Sequence, residues 1–385
     1  MPTIAVLGAT GTLGRRIVGR LASEEGYDLV LLGRDAARLR ELAAGAGGPV
    51  AATRVVAADA DRAELIAATA GVDLVVSAVP AAGGAADRIL DAAVASGVDV
   101  IDTVDSQPHL LRTYDELDHR ARVAGSVVVP GIGWRTAVGD LLVAVAVSRT
   151  LDPRQVHVAA VVPDRGGVLG AASPGVLRDL ASTLGEPTTA LDHGARVEEL
   201  PGEVRRLAWF PRPFGPHHAA AVAGLETLSV PRHAPEVTTV RSYVALSSAR
   251  AELLQAIGNL ARRQPVRDRV AAALERRASR APGAGARWAV VAEVAGRELA
   301  DGVADPVGDG TPGADGTRYT RAWANGHDHL EVSARLVTAT AAAVLAGAAR
   351  PGVRAPAEVG SARDLLDALA AASEVRWSVT DPRGR

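Results

Sequence analysis

The sequence predicts an α/β protein: a doubly wound parallel sheet, then a second α+β domain with a mixed or antiparallel sheet. Three observations predict it. Short apolar β-rich runs alternate with helical stretches through residue 135. Three glycines stand where the first run turns into a helix. Beyond residue 135, short strands follow one another with turn residues between them.

Residues 3–7 form a continuous apolar run, as a strand buried on both faces of a parallel sheet should. Leu13, Ile17, Val18 and Leu21 then recur at helical spacing. Gly8, Gly11 and Gly14 lie between, with Thr10, Thr12 and Leu13 completing the turn. In a dinucleotide-binding turn the first glycine makes the sharp bend and the second lets backbone approach a pyrophosphate. The third lets helix and sheet pack closely, and helix N–H groups face the phosphates. The G-x-x-G-x-x-G spacing is a variant of the usual fingerprint, and a chain with 40 glycines produces triplets by chance. The strand-to-helix context carries the reading. Further strands are predicted over 27–34, 52–59, 72–80, 98–105 and 125–133, with helices over 36–44, 62–70, 84–96 and 114–124. This alternation gives a Rossmann sheet with helices on both faces.

The end of the second strand bears on the cofactor. NAD binders place an acid there for the ribose 2′-OH. Here Gly33-Arg34 stands in that place and Asp35 follows. Arg34 is placed to pair with a 2′-phosphate and stack on adenine, which predicts NADP; a solvated helix-start arginine is the alternative. Asp59 ends the third strand, where it can accept from the adenine amino group or cap the next helix. Ala78, Val79 and Pro80 end the fourth, small and kinked, which suits backbone passing the nicotinamide or a simple turn.

The second half opens with an apolar helix over 136–151 and a strand over 155–163. A loop and helix over 170–187, several short strands, and a charged helical segment over 248–280 follow. Two strands, 287–296 and 318–326, flank a polar loop at 304–316 whose ligand spacing does not suit calcium. Helices over 332–349 and 362–372 close the chain. The predicted domains are 1–135 for the dinucleotide, 136–340 for substrate and dimerisation, and 341–385 packing back on the first.

Composition removes whole classes of chemistry. All 42 basic residues are Arg, so neither a Schiff-base lysine nor a lysine acid is available. There is no Cys, which excludes disulfides, thiolate metal sites and thiol nucleophiles. A net charge of −2 with no basic block argues against nucleic acid. No apolar stretch reaches a membrane span and no signal pattern opens the chain. A cytoplasmic protein with a small-molecule or carrier-bound substrate, no metal, and a homodimeric state is expected. The segment around Ser173 lacks the preceding glycine and strand of a nucleophile elbow.

Several segments taken in order resemble the saccharopine dehydrogenase-like oxidoreductases, which include saccharopine reductase and trans-acting enoyl reductase relatives. They are the glycine turn, Gly33-Arg34, "VIDTVDS" at 100–106, "PGIGWRTAVGDLLVA" at 130–144, "PFGPHH" at 213–218, "VPRHAPEVTTVRSYVAL" at 230–246 and "GVRAPAEV" at 352–359. The resemblance implies hydride transfer from a nicotinamide cofactor. It also exposes departures. The family's "GFD" acid is Arg135 here, the glutamate expected after the "YVD"-like segment is absent, and Val176 replaces a threonine.

An open parallel sheet binds ligands beyond the carboxyl ends of its strands. Asp105 and His109 fall there, and Arg135 follows the first domain. Hydride transfer needs alignment plus a proton donor or a polarising charge. Arg135 is a candidate to bind a carboxylate or polarise a carbonyl, or to form an interdomain salt bridge. Asp105 is a candidate proton relay or a helix cap. His109 and His217 are candidate general acids, Asp140 is expected to cap its helix, and Tyr114 to pack. The expected function is an NADP-dependent reductase of C=C or C=N bonds in bacterial secondary or amino-acid metabolism. The alternative is a non-redox cyclase, isomerase or sensor that keeps a bound dinucleotide.

Overall fold

The computed structural model describes residues 1–24, 26–57, 59–162, 177–180, 183, 185–246, 248–261, 263–278, 286–296 and 319–379. The polar loop 304–316 and the segment around Ser173 lie outside these residues. The chain divides into two compact units, Met1–Trp134 with Leu330–Ser361, and Arg135–His329 with Ala362–Arg385. Of the carboxy-terminal stretch expected on the first domain, residues 341–361 lie in the first unit and residues from 362 onward in the second.

The first unit holds β1 (Thr3–Leu7), α1 (Thr12–Ser23), β2 (Asp28–Gly33), α2 (Ala36–Gly45), β3 (Val50–Val55), α3 (Arg62–Ala68), β4 (Leu74–Ser77), α4 (Ala85–Ala95), β5 (Asp99–Asp102), α5 (Gln107–Arg112), α6 (Asp118–Ala124), β6 (Val127–Val129) and, from the returning chain, β15 (Gly352–Val353). These strands make a seven-stranded sheet in the order β15-β6-β5-β4-β1-β2-β3. Every pairing is parallel. All but the edge strand β3 are largely buried on both faces, with Ile4, Val6, Leu31, Val75 and Ile101 at 0% exposure, whereas β3 alternates between half-buried and exposed residues. That explains why the buried strands read as unbroken apolar runs rather than alternating ones. The helix predicted to start near Tyr114 begins earlier. Pro108 sits in the first turn of α5, and a π-turn over Thr113–Leu117 joins it to α6. Tyr114 is buried, as expected for packing.

The second unit holds α7 (Thr136–Val147), β7 (Pro153–Val161), β8 (Thr188–Asp192), β9 (Ala195–Glu199), β10 (Arg205–Phe210), β11 (Gly215–Val222), α8 (Glu226–His233), β12 (Thr239–Ala245), α9 (Ser248–Ala261), α10 (Gln264–Ala278), β13 (Trp288–Gly296), β14 (Thr320–Gly326), α12 (Ala362–Ala372) and β16 (Arg376–Val379); α11 (His329–Leu345) lies between β14 and β15 in the chain. The sheet order is β10-β11-β12-β7-β13-β14-β16, with β8 and β9 attached to β12. It is mixed: β12 and β7 run parallel, while β7 with β13 and β13 with β14 run antiparallel.

This sheet coils. Arg206 of β10 reaches Glu293 of β13 at 2.6 Å although three strands separate them in the sheet order. The coil encloses an apolar core that includes Ala159, Phe210, Tyr243 and Val291. α7 covers the convex face, where a Cβ on Gly139 would stand 3.0 Å from Val158. Among the described residues no helix is long and apolar enough to cross a membrane. Four elements escaped the sequence reading: β8, α8, β15 and β16. α8 is short and carries Pro231 inside it, a residue that normally argues against a helix.

Candidate dinucleotide site and catalytic residues

The glycine turn takes the form its sequence predicts. Gly8 bends the chain out of β1 at φ +75°, and its Cα packs on the end of β4, where an added Cβ would lie 2.7 Å from the Ala78 carbonyl oxygen. Gly14 packs on the turn itself, since a Cβ there would meet the Gly8 carbonyl oxygen at 2.1 Å. Gly11 is different. It is exposed, and its only close neighbour would be that same oxygen at 3.1 Å. Gly11 is also the N-cap of α1, with no side-chain cap and no acid in the first turn. The first N–H groups of the helix, from Thr12 and Leu13, therefore lack an internal acceptor and face an open surface. Thr10 supports the turn by accepting from Arg15 Nε at its carbonyl oxygen, 3.0 Å. A pyrophosphate fits this cradle on chemistry and on space.

The strand ends beside it separate the expected roles. Asp35 turns its carboxylate inward to cap α2, accepting from the N–H groups of Ala37 at 2.9 Å and Arg38 at 3.1 Å. Those bonds hold its carboxyl below the usual aspartate range, the Arg38 N–H foremost. Asp35 is therefore committed to its helix. Arg34 is exposed and forms no hydrogen bond or ion pair with the described residues. Asp59 is exposed as well, and capping of α3 falls instead to Asp61, which forms a reciprocal box with Glu64. Ala78, Val79 and Pro80 follow β4 half-buried, with Ala78 N–H donating to the Leu7 carbonyl at 2.9 Å. Gly8, Gly11, Arg34 and Ala78 thus all sit at the carboxyl ends of the central strands.

His109 has a different task from the one expected. It is buried at 3% exposure, and both ring nitrogens are engaged. Nδ1 meets Asp87 at 2.6 Å and Nε2 meets Asp102 at 2.9 Å. Burial alone would depress its pKa, but the charges and hydrogen bonds of Asp102 and Asp87 overcome this and push it up to about 10. Asp87 is held low despite its own burial, by His109 and then Arg112. His109 is thus held as an imidazolium at neutral pH and ties the end of β5 to α4 and α5. It has no nitrogen left for a substrate. Asp105, three residues beyond β5, is half-buried.

In the second unit, Arg135 precedes α7 and donates to the Ala223 carbonyl at 3.2 Å. Its charge also acts on Glu226, which is fully buried. Burial raises the Glu226 pKa, with Arg135 and the Ser242 hydroxyl pulling it back and Asp140 adding to the rise. Ser242 Oγ donates to Glu226 Oε2 at 2.6 Å. One turn along, Asp140 accepts from Ser229 at 2.6 Å and meets His233 Nε2 at 2.9 Å. Asp140 is therefore a buried helix-to-helix link rather than a cap. His217 lies on the opposite, concave face of the sheet, its ring 5.9 Å from Phe210 and edge-on to it. The structure does not bring Arg135 and His217 together.

Residues 4–129 match the family model for the saccharopine dehydrogenase NADP binding domain. The amino-terminal third of the chain is thus a dinucleotide-binding domain of the saccharopine dehydrogenase type. No curated protein matches the sequence. Among solved structures, the chain is similar to apo saccharopine dehydrogenase (L-Glu forming) from Saccharomyces cerevisiae. That match has 14% identity and a TM-score of 0.63, over 98% of this chain and 100% of that one. It is also similar to the homospermidine synthase of Legionella pneumophila, solved with NAD. Here identity is 10% and the TM-score 0.58, over 99% of this chain and 92% of that one. At these identities the likeness is one of fold.

Two stretches that carried the resemblance in sequence meet through side chains. Asp140, from "GDLLVA", bonds His233, from "VPRH". Glu226, Ser229 and Ser242 were not singled out in sequence. A signal existed: Glu226, Ser229 and His233 recur at helical spacing, but no helix was assigned there. Among the described residues no cluster of three or more His, Asp or Glu is gathered for a metal.

Proposed function

We propose that the chain is an NADP-dependent reductase that adds hydride to a C=C or C=N bond of a small or carrier-bound metabolite. The observation that supports NADP over NAD is the division of labour after β2. The acid that would serve a ribose 2′-OH caps α2, while the exposed arginine before it has no partner among the described residues. Arg34 offers a planar fork suited to a phosphate, and Asp59 is an acceptor for the adenine amino group. When bound, the cofactor supplies the hydride. The chain contributes the rest. The N–H groups of Thr12 and Leu13 at the start of α1 receive the pyrophosphate, and Gly8 and Gly14 keep that turn in place, with the Gly11 N–H donating to the Gly8 carbonyl at 2.8 Å. The backbone of Ala78 to Pro80 borders the nicotinamide side. Asp105 is the proposed acid–base group, and Arg135 the proposed contact for a substrate carboxylate or carbonyl. His109 acts through Asp102 by fixing the strand from which Asp105 extends.

Titration of the purified protein with both reduced nucleotides tests the reading. NADPH should bind about tenfold or more tightly than NADH, and Arg34→Ala should erase most of that difference, as loss of a charge-assisted pair predicts. Equal affinities would remove the argument from Arg34. Deuteride on the cofactor separates reductase from non-redox use, because only a reductase transfers the label to product.

A further inference from the structure

A second polar cluster involves none of the residues given a role in the proposed function. Arg241 of β12, His157 of β7, Glu293 of β13 and Arg321 of β14 are register partners and form a row across the concave face of the coiled sheet. Arg206 completes the cluster from β10. Glu293 is 1% exposed and is shared between Arg206 at 2.6 Å and Arg321 at 2.7 Å. The Arg206 guanidinium stands 5.2 Å from the centre of the Tyr319 ring and 5.7 Å from that of Tyr243. The His157 ring closes the group, 5.7 Å from Tyr243 and 6.0 Å from Tyr319. Arg206 Nη1 is buried, yet it has no hydrogen-bond acceptor among the described residues. A buried guanidinium N–H without an acceptor is costly, so the position favours occupation by one.

We propose that the concave face of this sheet is a binding site for a small organic monocarboxylate with an apolar, preferably aromatic, body, whose carboxylate is received by Arg206 Nη1. The chemistry around the nitrogen selects that class. Tyr243, Tyr319 and the adjoining core of Phe210 and Val291 offer apolar walls. Burial first, then the Arg206 and Arg241 charges, keep His157 neutral, so it adds no further cation to the cluster. Burial also raises the Tyr243 phenol to about 12, so it stays protonated. Its hydroxyl lies 3.3 Å from His157 Nδ1; donated there, its proton leaves the ring hydrogen on Nε2, a second donor. A phosphate dianion suits the site less well. Glu293 repels the second charge, and the rings cannot repay its larger hydration cost.

The test is calorimetric titration of the full-length protein with benzoate at neutral pH, beside benzamide and inorganic phosphate, with NADPH titrated separately. Benzoate should bind, with benzamide and phosphate each at least tenfold weaker. Arg206→Lys retains a cation for Glu293 but loses the second N–H, and should weaken benzoate tenfold or more while NADPH affinity is unchanged. Tyr243→Phe keeps the ring and the arginine, and should weaken benzoate severalfold; it decides the matter if Arg206→Lys does not fold. No benzoate binding, equal binding of benzamide or phosphate, or undiminished benzoate binding in the folded variants overturns the proposal. Because NADPH is read independently, failure here and failure of the reductase reading are distinguishable.

Discussion

Gly11 and Gly14 look alike in sequence and differ in physics. Gly14 has the Gly8 carbonyl where a Cβ would go, whereas Gly11 faces open surface with φ −73°, a value alanine adopts freely. Gly14→Ala should therefore lower the melting temperature and abolish NADPH binding together. Gly11→Ala should leave melting nearly unchanged and weaken NADPH about tenfold, by crowding the phosphate approach. Thermal melts with and without NADPH separate the two outcomes. His109 makes a pH prediction. Its folded pKa of about 10 lies above an unfolded value near 6.5, so its stabilisation is complete below the unfolded value and is lost as pH rises through about 10. Urea midpoints taken between pH 6 and 10 should fall in the wild type and fall less in His109→Gln. Parallel slopes would show that the imidazolium contributes nothing. Sequence offered His109 as a general acid and could not show Asp87 bonded to it, because a partner 22 positions away on another helix leaves no local spacing signal.

At the scale of elements, α7 and α8 pack through a polar seam set in an otherwise apolar interface. Its cost and its specificity both come from burial. Asp140→Ala should cost about 3 kcal/mol, since it strips a buried carboxylate from Ser229 and His233, while Asp140→Asn should cost less by keeping an acceptor for both. Denaturant titration measures the difference. Glu226 predicts a slope of known sign. Its folded pKa is raised, so the native state holds a proton that the unfolded state has released, and stability declines as pH rises above the unfolded value. Glu226→Gln should flatten that decline between pH 4 and 8, and an unaltered slope would assign it to other groups. The seam also gives Arg135 a structural setting: its charge falls on a buried glutamate of the same unit. None of this was legible, because α8 is hidden by Pro231 and a buried acid looks like any surface acid when its helix is not recognised.

For the molecule as a whole, what was legible follows from burial. Parallel strands buried on both faces print themselves as apolar runs, so β1, β2 and β4 to β6 were readable with ends misplaced only by a few residues, while β3 is a half-exposed edge. The second sheet was readable as strands but not as a coil. Its coil brings Arg206 to Glu293, a contact between distant positions that composition and periodicity do not encode. The two-residue strand β15 is too short to carry any period at all.

That smallest strand has a consequence for how the chain is made. It pairs with β6 through Gly352 and Val353, and the chain then departs again to supply α12 and β16 to the second sheet. Each unit is thus assembled from two separate stretches of polypeptide. A ribosome must synthesise about nine-tenths of the protein before the edge of the nucleotide sheet exists, since that edge lies at Gly352 in a chain of 385 residues. No single cut in the gene yields either unit whole. A fragment stopped at Trp134 would leave β6 as a raw edge, and soluble expression would require residues 330–361 to be supplied alongside it.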